Sequence, residues 1–144
     1  MDSGPTVLTA LVFFWAGFVC AISFMEAWLK FKAEGVTLPV GLSIGKKVFK
    51  ALNRVEWALF VLVIIVHFYF EIWINPRLLL VLILFIILVM QTFYLLPRLN
   101  KRADLIMAGQ KLGRSFIHVQ YISAEFIKIS ILVATGLVKF QMVR

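Results

Sequence analysis

Four long apolar runs divide the 144-residue chain, over residues 6–30, 48–74, 77–102 and 115–140. Each run exceeds the roughly 20 residues that a helix needs to cross the hydrocarbon core of a bilayer. Because no water is available there to bond backbone groups, segments of this length fold as helices, which satisfy those groups internally. The pattern predicts an all-α integral membrane protein with four transmembrane helices, forming a single domain over residues 1–144.

Polar stretches between the runs set the connections. The dipeptide Asn75-Pro76 predicts a tight turn, because proline resists helix continuation and asparagine tolerates turn geometry. Residues 31–47 predict a loop, so we do not interpret the spacing from Gly41 to Gly45 as a helix-packing motif. Short connections of this kind predict an up-down bundle.

Basic residues gather on one side of the predicted membrane. The two longer connections and the adjoining helix ends carry eleven of the 15 Lys and Arg residues, the opposite side carries Arg77, Lys139 and Arg144, and Lys128 lies within the fourth run. Cytoplasmic loops are enriched in Lys and Arg, so both long connections are predicted to face the cytoplasm and both chain termini to be non-cytoplasmic. The eleven are Lys30, Lys32, Lys46, Lys47, Lys50, Arg54, Arg98, Lys101, Arg102, Lys111 and Arg114.

Composition agrees with this picture and excludes some function classes. Hydrophobic residues make up 62% of the chain and its mean hydropathy is +0.99, whereas soluble domains are about half apolar. The net charge of +8 indicates contact with anionic lipid headgroups and not with nucleic acid, since no basic stripe is interleaved with aromatic residues. Cys20 is the only cysteine, so no intrachain disulfide forms. The N-terminus lacks the basic segment of a cleaved signal peptide, and we expect no cleavage.

Each predicted helix carries one stripe of polar side chains. On a wheel of about 100° per residue, the stripe of the fourth run spans roughly 100° and that of the second roughly 60°. Charged groups at membrane depth cost about 2.5–3.5 kcal/mol each, so they usually face a partner or a cavity. We therefore expect the four stripes to converge inside the bundle. The stripes are Ser23, Glu26 and Lys30; Asn53, Glu56, His67 and Glu71; Gln91, Tyr94, Arg98 and Arg102; and Lys111, Arg114, His118, Tyr121, Glu125 and Lys128.

Several of these polar residues lie in the half of the membrane next to the cytoplasm. Counting about 1.5 Å per residue, they are within roughly 15 Å of the cytoplasmic helix ends, and we take them as a candidate site. Arg98 would contact an anion, because its planar fork pairs well with carboxylate or phosphate. Glu56 and Glu125 would be the titratable partners. His118 would respond to pH and Tyr121 would donate a hydrogen bond. The predicted ligand-binding residues are Glu26, Glu56, Arg98, His118, Tyr121 and Glu125.

Two interpretations of this cluster stay open on the sequence: ion pairs that only fix the bundle, and a ligand or ion site. Metal chemistry has no spacing signature. The Glu-x-x-His pairs of di-iron bundles are absent, His67 and His118 differ too much in depth to share one haem, and a site of Glu26, Glu56 and His118 follows no known motif. We predict no metal site and no catalytic residue, and the cofactor is unknown.

The start of the second run resembles one known family. Residues 50–56, Lys-Ala-Leu-Asn-Arg-Val-Glu, resemble the basic-Ala…Asn-x-x-Glu signature of the MAPEG family, the membrane-associated eicosanoid and glutathione proteins. Chain length, four spans and orientation are also similar. The resemblance implies trimers that bind glutathione or a lipid at the cytoplasmic side, with Asn53 and Glu56 helping to hold the ligand. The family's proline after the Glu is absent here, where Trp57 follows, and the Tyr- and Arg-rich pattern of its third and fourth spans is not matched.

The function predicted from these residues is that of a small multi-pass membrane protein whose cytoplasm-facing polar pocket binds or passes a small polar or anionic ligand or an ion. Four helices are few for a transport path, so a homo-oligomer is expected. The alternatives are a non-catalytic accessory subunit of a larger membrane complex and a MAPEG-like enzyme that binds glutathione or a lipid. The predicted surroundings are the lipid bilayer of the plasma or inner cell membrane.

Overall fold

The computed structural model describes residues 3–70, 75–113 and 115–137. Within these ranges, four helices are long and apolar enough to cross a membrane, as the hydrophobic runs predict. Helix α1 covers residues 3–32, α2 covers Leu38–Tyr69, α3 covers residues 75–107 and α4 covers Phe116–Leu137. Because α1 and α3 each pack against both α2 and α4, the four helices surround a common interior. The end of the bundle that carries the 33–37 connection is called the basic end below.

The connection between α1 and α2 is much shorter than predicted. The expected loop over residues 31–47 is wrong, since only residues 33–37 are irregular and α2 begins at Leu38. Pro39 lies in the first turn of α2, where a missing backbone N–H costs no hydrogen bond. A positive φ of 76° at Gly35 allows the chain to turn back within these few residues.

The Gly-x-x-x-Gly spacing lies in a helix and not in a loop. Gly41 and Gly45 are buried in the first turns of α2. The ring of Phe31 occupies the space that a side chain at Gly41 would fill, and a Cβ at Gly45 would lie 3.1 Å from Nζ of Lys30. The two glycines therefore let the end of α1 lie against α2, which is the role of small residues at helix interfaces.

Two helices change their winding part of the way along. In α1, Ser3–Val19 is α-helical, Cys20–Glu26 forms a π-helix, and Ala27–Leu29 and Lys30–Lys32 complete the helix. In α3, the π-helix Gln91–Leu95 separates Asn75–Met90 from Leu96–Met107. A π segment rotates the residues that follow it relative to an unbroken α-helix, and such segments are frequent at functional sites.

Apolar side chains fill the bundle on the side away from the basic end. They come from α1 before Trp15, from α2 after Glu56, from α3 before Gln91 and from α4 after Lys128. Among the described residues of this side, His67 and Thr135 are buried polar side chains, and the other buried polar groups lie at the border of this apolar layer or nearer the basic end. The fully buried members of the layer include Leu8, Val12, Val63, Leu84, Leu88 and Leu132.

Candidate functional site

A group of charged side chains meets at the centre of the bundle. Lys128, which is 0% exposed, forms a close ion pair with Glu56. Its Nζ also lies 2.8 Å from Oε1 of Gln91 and 3.1 Å from Oε1 of Glu125. The three N–H groups of this ammonium thus face three acceptors, which is the full number that a lysine can serve. We refer to Glu56, Gln91, Glu125 and Lys128 as the buried charge cluster.

All four helices contribute to this cluster or support it. Gln91 of α3 donates through Nε2 to Oε1 of Glu125 at 2.8 Å, so its amide bridges both charged residues of α4. Trp15 of α1 donates its indole N–H to Oε1 of Glu56 at 3.1 Å. The three-residue spacing from Glu125 to Lys128 places both on one face of α4. Donors and acceptors on four helices fix the relative positions of those helices.

The charges of the cluster do not balance. Two carboxylates, 1% and 0% exposed, surround one ammonium. Oε2 of Glu56 and Oε2 of Glu125 are buried, and among the described residues neither has a hydrogen-bond partner. A buried charge is costly unless it is paired. The arrangement therefore has the capacity to hold one more positive charge beside the unpartnered oxygens.

A cavity of about 120 Å³ lies at the basic end of the bundle, between all four helices. Lys30 lies on its wall, with Nζ 3.1 Å from Oε2 of Glu26 and 5.5 and 5.4 Å from the ring centres of Phe31 and Phe49. An ion pair between Lys46 and Asp104 joins α2 to α3 beside the cavity. The lining residues are Ala27, Lys30, Phe31, Gly41, Leu42, Gly45, Lys46, Phe49, Leu96, Leu99, Asn100, Ala103, His118 and Tyr121.

Tyr121 connects the cavity to the buried charge cluster. It lines the cavity, is 3% exposed, and its ring packs edge-on against Phe49 with 5.2 Å between centres. Glu125 follows one helical turn further along the same face of α4. On α1, the buried hydroxyl of Ser23 lies between the levels of Ala27 and Trp15, and it has no hydrogen-bond partner within the described ranges. Polar groups therefore continue from the cavity to the cluster.

The structure brings together only part of the predicted site. Glu56, Tyr121 and Glu125 are buried in the interior, as their stripes predict, and Glu26 is half-buried beside the cavity. His118 lines the cavity as well, but its side chain is exposed, so it lies at the open edge of the interior and not within the cluster.

Arg98 also departs from the prediction, since it is exposed on α3 and does not line the cavity. Its guanidinium stacks over Tyr94, 3.9 Å from the ring centre, and Nη1 donates to the hydroxyl of Tyr94 at 2.6 Å. The π-helix that begins at Gln91 explains the difference, because its extra residue per turn rotates the later part of the stripe away from the interior. Gln91 faces inward, whereas Tyr94 and Arg98 face outward.

Four residues of the cluster or the cavity are absent from the predicted site: Trp15, Lys30, Gln91 and Lys128. All but Trp15 belong to the predicted polar stripes. Trp15 lies in an apolar run and looks like a core residue, although its indole N–H is a donor that needs a partner when buried. Lys30 belongs to the predicted stripe of α1. The cavity beside it is not predicted, because part of its wall comes from residues 41–47 of α2, which the sequence predicts to be a loop. His67 is buried near the other end of the bundle, where Nδ1 lies 2.9 Å from the carbonyl oxygen of Val63. Glu71 and Arg114 lie outside the described residues.

A second polar contact joins α2 to α3. The hydroxyl of Thr92 accepts hydrogen bonds from Nδ2 of Asn53 at 3.0 Å and from the indole of Trp57 at 2.9 Å. It donates to the carbonyl oxygen of Leu88 at 2.7 Å. Asn53 is thus engaged within the bundle, and so is Glu56, so neither side chain of the MAPEG-like stretch is aimed at the cavity.

Comparison with known proteins gives no match to a family model, a curated protein or a solved structure. The resemblance to the MAPEG family therefore has no support beyond residues 50–56, the chain length, the four spans and the predicted orientation. Among the described residues, no three His, Cys, Asp or Glu side chains gather closely enough to hold a metal ion. Glu26, Glu56 and His118 accordingly form no common metal site.

Proposed function

We propose that this protein is a small multi-pass membrane protein that binds a small anion carrying an apolar group, in the cavity at the basic end of the bundle. The observation that carries the proposal is the Lys30 ammonium on the wall of a mostly apolar cavity of about 120 Å³. Following the charge asymmetry of the loops, this end would face the cytoplasm.

The walls of the cavity suit the two parts of such a ligand. The rings of Phe31 and Phe49 and the side chains of Leu96 and Leu99 offer an apolar surface. Lys30 has three N–H donors, and one of them is directed at Glu26. An anion beside Lys30 would take up the remaining donors, with the apolar group of the ligand held against the rings.

The charge of the whole end favours the approach of an anion. Among the described residues, ten cations lie at this end of the helices and in its connections, against three acids, Glu26, Glu34 and Asp104. A surface of one sign concentrates ions of the opposite sign and speeds their association, an effect that added salt weakens. An anionic lipid headgroup and a soluble organic anion share this chemistry, so the source of the anion has to be distinguished by experiment.

Equilibrium binding of phenyl phosphate and of hexanoate to the full chain tests the proposal. The protein is placed in nanodiscs of zwitterionic lipid, and cyclohexylammonium serves as the cationic probe of similar size. We expect the anions to bind and the cation not to bind, with affinity falling as salt is added. Nanodiscs containing anionic lipid distinguish the sources, because a lipid headgroup that occupies the cavity would compete with the probes.

Two variants locate the binding. Lys30→Met removes the ammonium from the cavity wall, and Lys47→Met removes an exposed lysine of the same end that does not line the cavity. The first change should abolish binding and the second should leave it within a factor of two or so. Equal binding by Lys30→Met and the parent protein, or binding of the cation as strong as that of the anions, contradicts the proposal.

A further inference from the structure

The buried charge cluster has a charge deficit that its own side chains do not resolve. Glu56 and Glu125 together carry two negative charges when ionised, and Lys128 supplies one positive charge. Trp15 of α1 and Gln91 of α3 bond to these charged residues from the other helices, and neither carries a charge. Tyr121, which is also titratable, lies next to Glu125 on α4 toward the cavity, and Lys30 and His118 line that cavity with it.

Two carboxylates that share a buried site resist ionising together, because each disfavours the charge of the other. Lys128 compensates one of them. The compensation for the second requires one additional positive charge next to an unpartnered oxygen, and Oε2 of Glu56 and Oε2 of Glu125 are both available. A metal cation would need several oxygen ligands around it, and in the described ranges no third His, Cys, Asp or Glu side chain joins Glu56 and Glu125. A proton needs one oxygen and no additional space.

The surrounding groups indicate the side from which a proton would arrive. Toward the end opposite the basic end, the apolar layer that includes Val12, Val63 and Leu132 separates the cluster from the buried His67 and Thr135. Toward the basic end, the buried side chain of Ser23 and that of Tyr121, which also lines the cavity, carry hydroxyl groups. Hydroxyl groups both donate and accept, so they can pass a proton along a hydrogen-bonded chain.

We propose that the buried charge cluster is a proton-binding site that holds one exchangeable proton on the Glu56–Glu125 pair and exchanges it with solvent through the cavity at the basic end. In this step, an unpartnered carboxylate oxygen of the pair takes up one proton from water and becomes a neutral carboxylic acid. The net charge of the cluster changes from −1 to 0, and no other bond is made or broken. The proposal requires no ligand in the cavity and stands apart from the anion-binding proposal.

Infrared spectroscopy of the full chain in nanodiscs of zwitterionic lipid tests the proton directly. A protonated carboxylic acid has a carbonyl stretch that is separate from the carboxylate bands and shifts when deuterium replaces the proton. At neutral pH we expect an intensity of one such group per chain. Its absence from the parent protein overturns the proposal, because both carboxylates are then ionised and the cluster is a structural ion network only.

Three variants and one control should change the intensity of this carbonyl band in different ways. Either Glu56→Gln or Glu125→Gln leaves one acid paired with Lys128, which is neutral without a proton, so each single change should abolish the whole band. Lys128→Met leaves two acids and no ammonium, so the band should double. Glu34→Gln, which removes an exposed acid of the 33–37 connection, should leave it unchanged. A band that persists in both single glutamine variants overturns the assignment, and these two variants decide the matter even if Lys128→Met does not fold.

The exchange path has a separate measurement. The rate at which the band shifts after transfer to deuterated buffer should fall in Tyr121→Phe, which removes the hydroxyl between the cavity and Glu125. Tyr94→Phe, a matched change at an exposed tyrosine of α3, should exchange as the parent does. Equal exchange rates in both variants overturn the path through Tyr121. Failure of phenyl phosphate to bind would contradict the anion-binding proposal and leave these infrared results unaffected.

Discussion

Replacing Lys128 by methionine tests whether the buried charge cluster stabilises the bundle. The side chain is 0% exposed and serves acceptors on three residues: Glu56, Gln91 and Glu125. Methionine retains most of the volume and removes the charge. The two acids must then stay ionised in a medium of low polarity or take up protons from water, and either alternative raises the free energy of the folded state.

The expected loss of stability depends on whether Lys128 acts as an ordinary hydrogen-bond donor or as the cation of a buried ion pair. Interhelical hydrogen bonds between polar groups in membranes contribute about 0.6 kcal/mol on average, whereas removing one partner from a buried ion pair costs about 3–5 kcal/mol. The structure favours the larger figure, because the loss of Lys128 leaves the buried Glu56–Glu125 pair without the cation that balances one of its charges. At 1.36 kcal/mol per factor of ten, the unfolding equilibrium constant should rise by about two to four powers of ten.

Reversible unfolding by a denaturing detergent, followed by tryptophan fluorescence or helix content, measures this change. Lys47→Met, an exposed lysine of the same protein, is the matched control and should unfold as the parent does. Glu125→Gln should cost far less than Lys128→Met, since Lys128 keeps its ion pair with Glu56. A loss of about 0.6 kcal/mol or less for Lys128→Met would refute the reasoning, because the ammonium would then not compensate either of the two acids.

Four further changes test other contacts. Gln91→Leu should lower the free energy of unfolding by about 1–3 kcal/mol in the same assay, because the buried ammonium and carboxylate that it bridges each lose a hydrogen bond. Thr92→Val should destabilise by a similar amount, by leaving two donors of α2 without their acceptor. Gly41→Ala should cost about 1–3 kcal/mol, since its Cβ overlaps a neighbouring aromatic ring. By contrast, Gly17→Ala, which meets no atom within 4 Å, should stabilise its helix by about 0.5–1 kcal/mol. Lys47 should be modified only by reagents that reach the cytoplasm, and labelling from outside intact cells would contradict the predicted orientation.

The sequence predicts the four membrane-spanning helices well. An apolar segment long enough to cross a bilayer has to bond its backbone N–H and C=O groups internally, and a helix does this. The sequence places the start of α2 wrongly because Pro39, Gly41 and Gly45 resemble loop residues. All three are compatible with a helix, however. The proline lies in the first turn of α2, and the two glycines pack against α1. Only tertiary contact with Phe31 and Lys30 distinguishes a glycine that breaks a helix from one that allows close packing.

The sequence correctly predicts which side chains face the interior where the helix is a regular α-helix. The stripes of α2 and α4 place Glu56, Glu125 and Lys128 correctly, because neither helix contains a π segment among its described residues. The stripe of α3 fails at Arg98, since a wheel of constant pitch does not include the π-helix Gln91–Leu95. The pairing of Trp15 with Glu56 depends on the position of α1 against α2, which periodicity within one helix does not specify.

The most direct test of the account is a distance measurement by solid-state nuclear magnetic resonance on the full chain in lipid. Lysine is labelled with ¹⁵N at Nζ and glutamate with ¹³C at its carboxyl carbon, and Lys128→Met and Lys30→Met assign the couplings. The account predicts that the ammonium of Lys128 couples to two carboxyl carbons, those of Glu56 and Glu125, and that each coupling is lost in the corresponding glutamine variant. Coupling to Glu125 alone, the neighbour on its own helix, would contradict the claim that charged stripes of different helices meet inside the bundle.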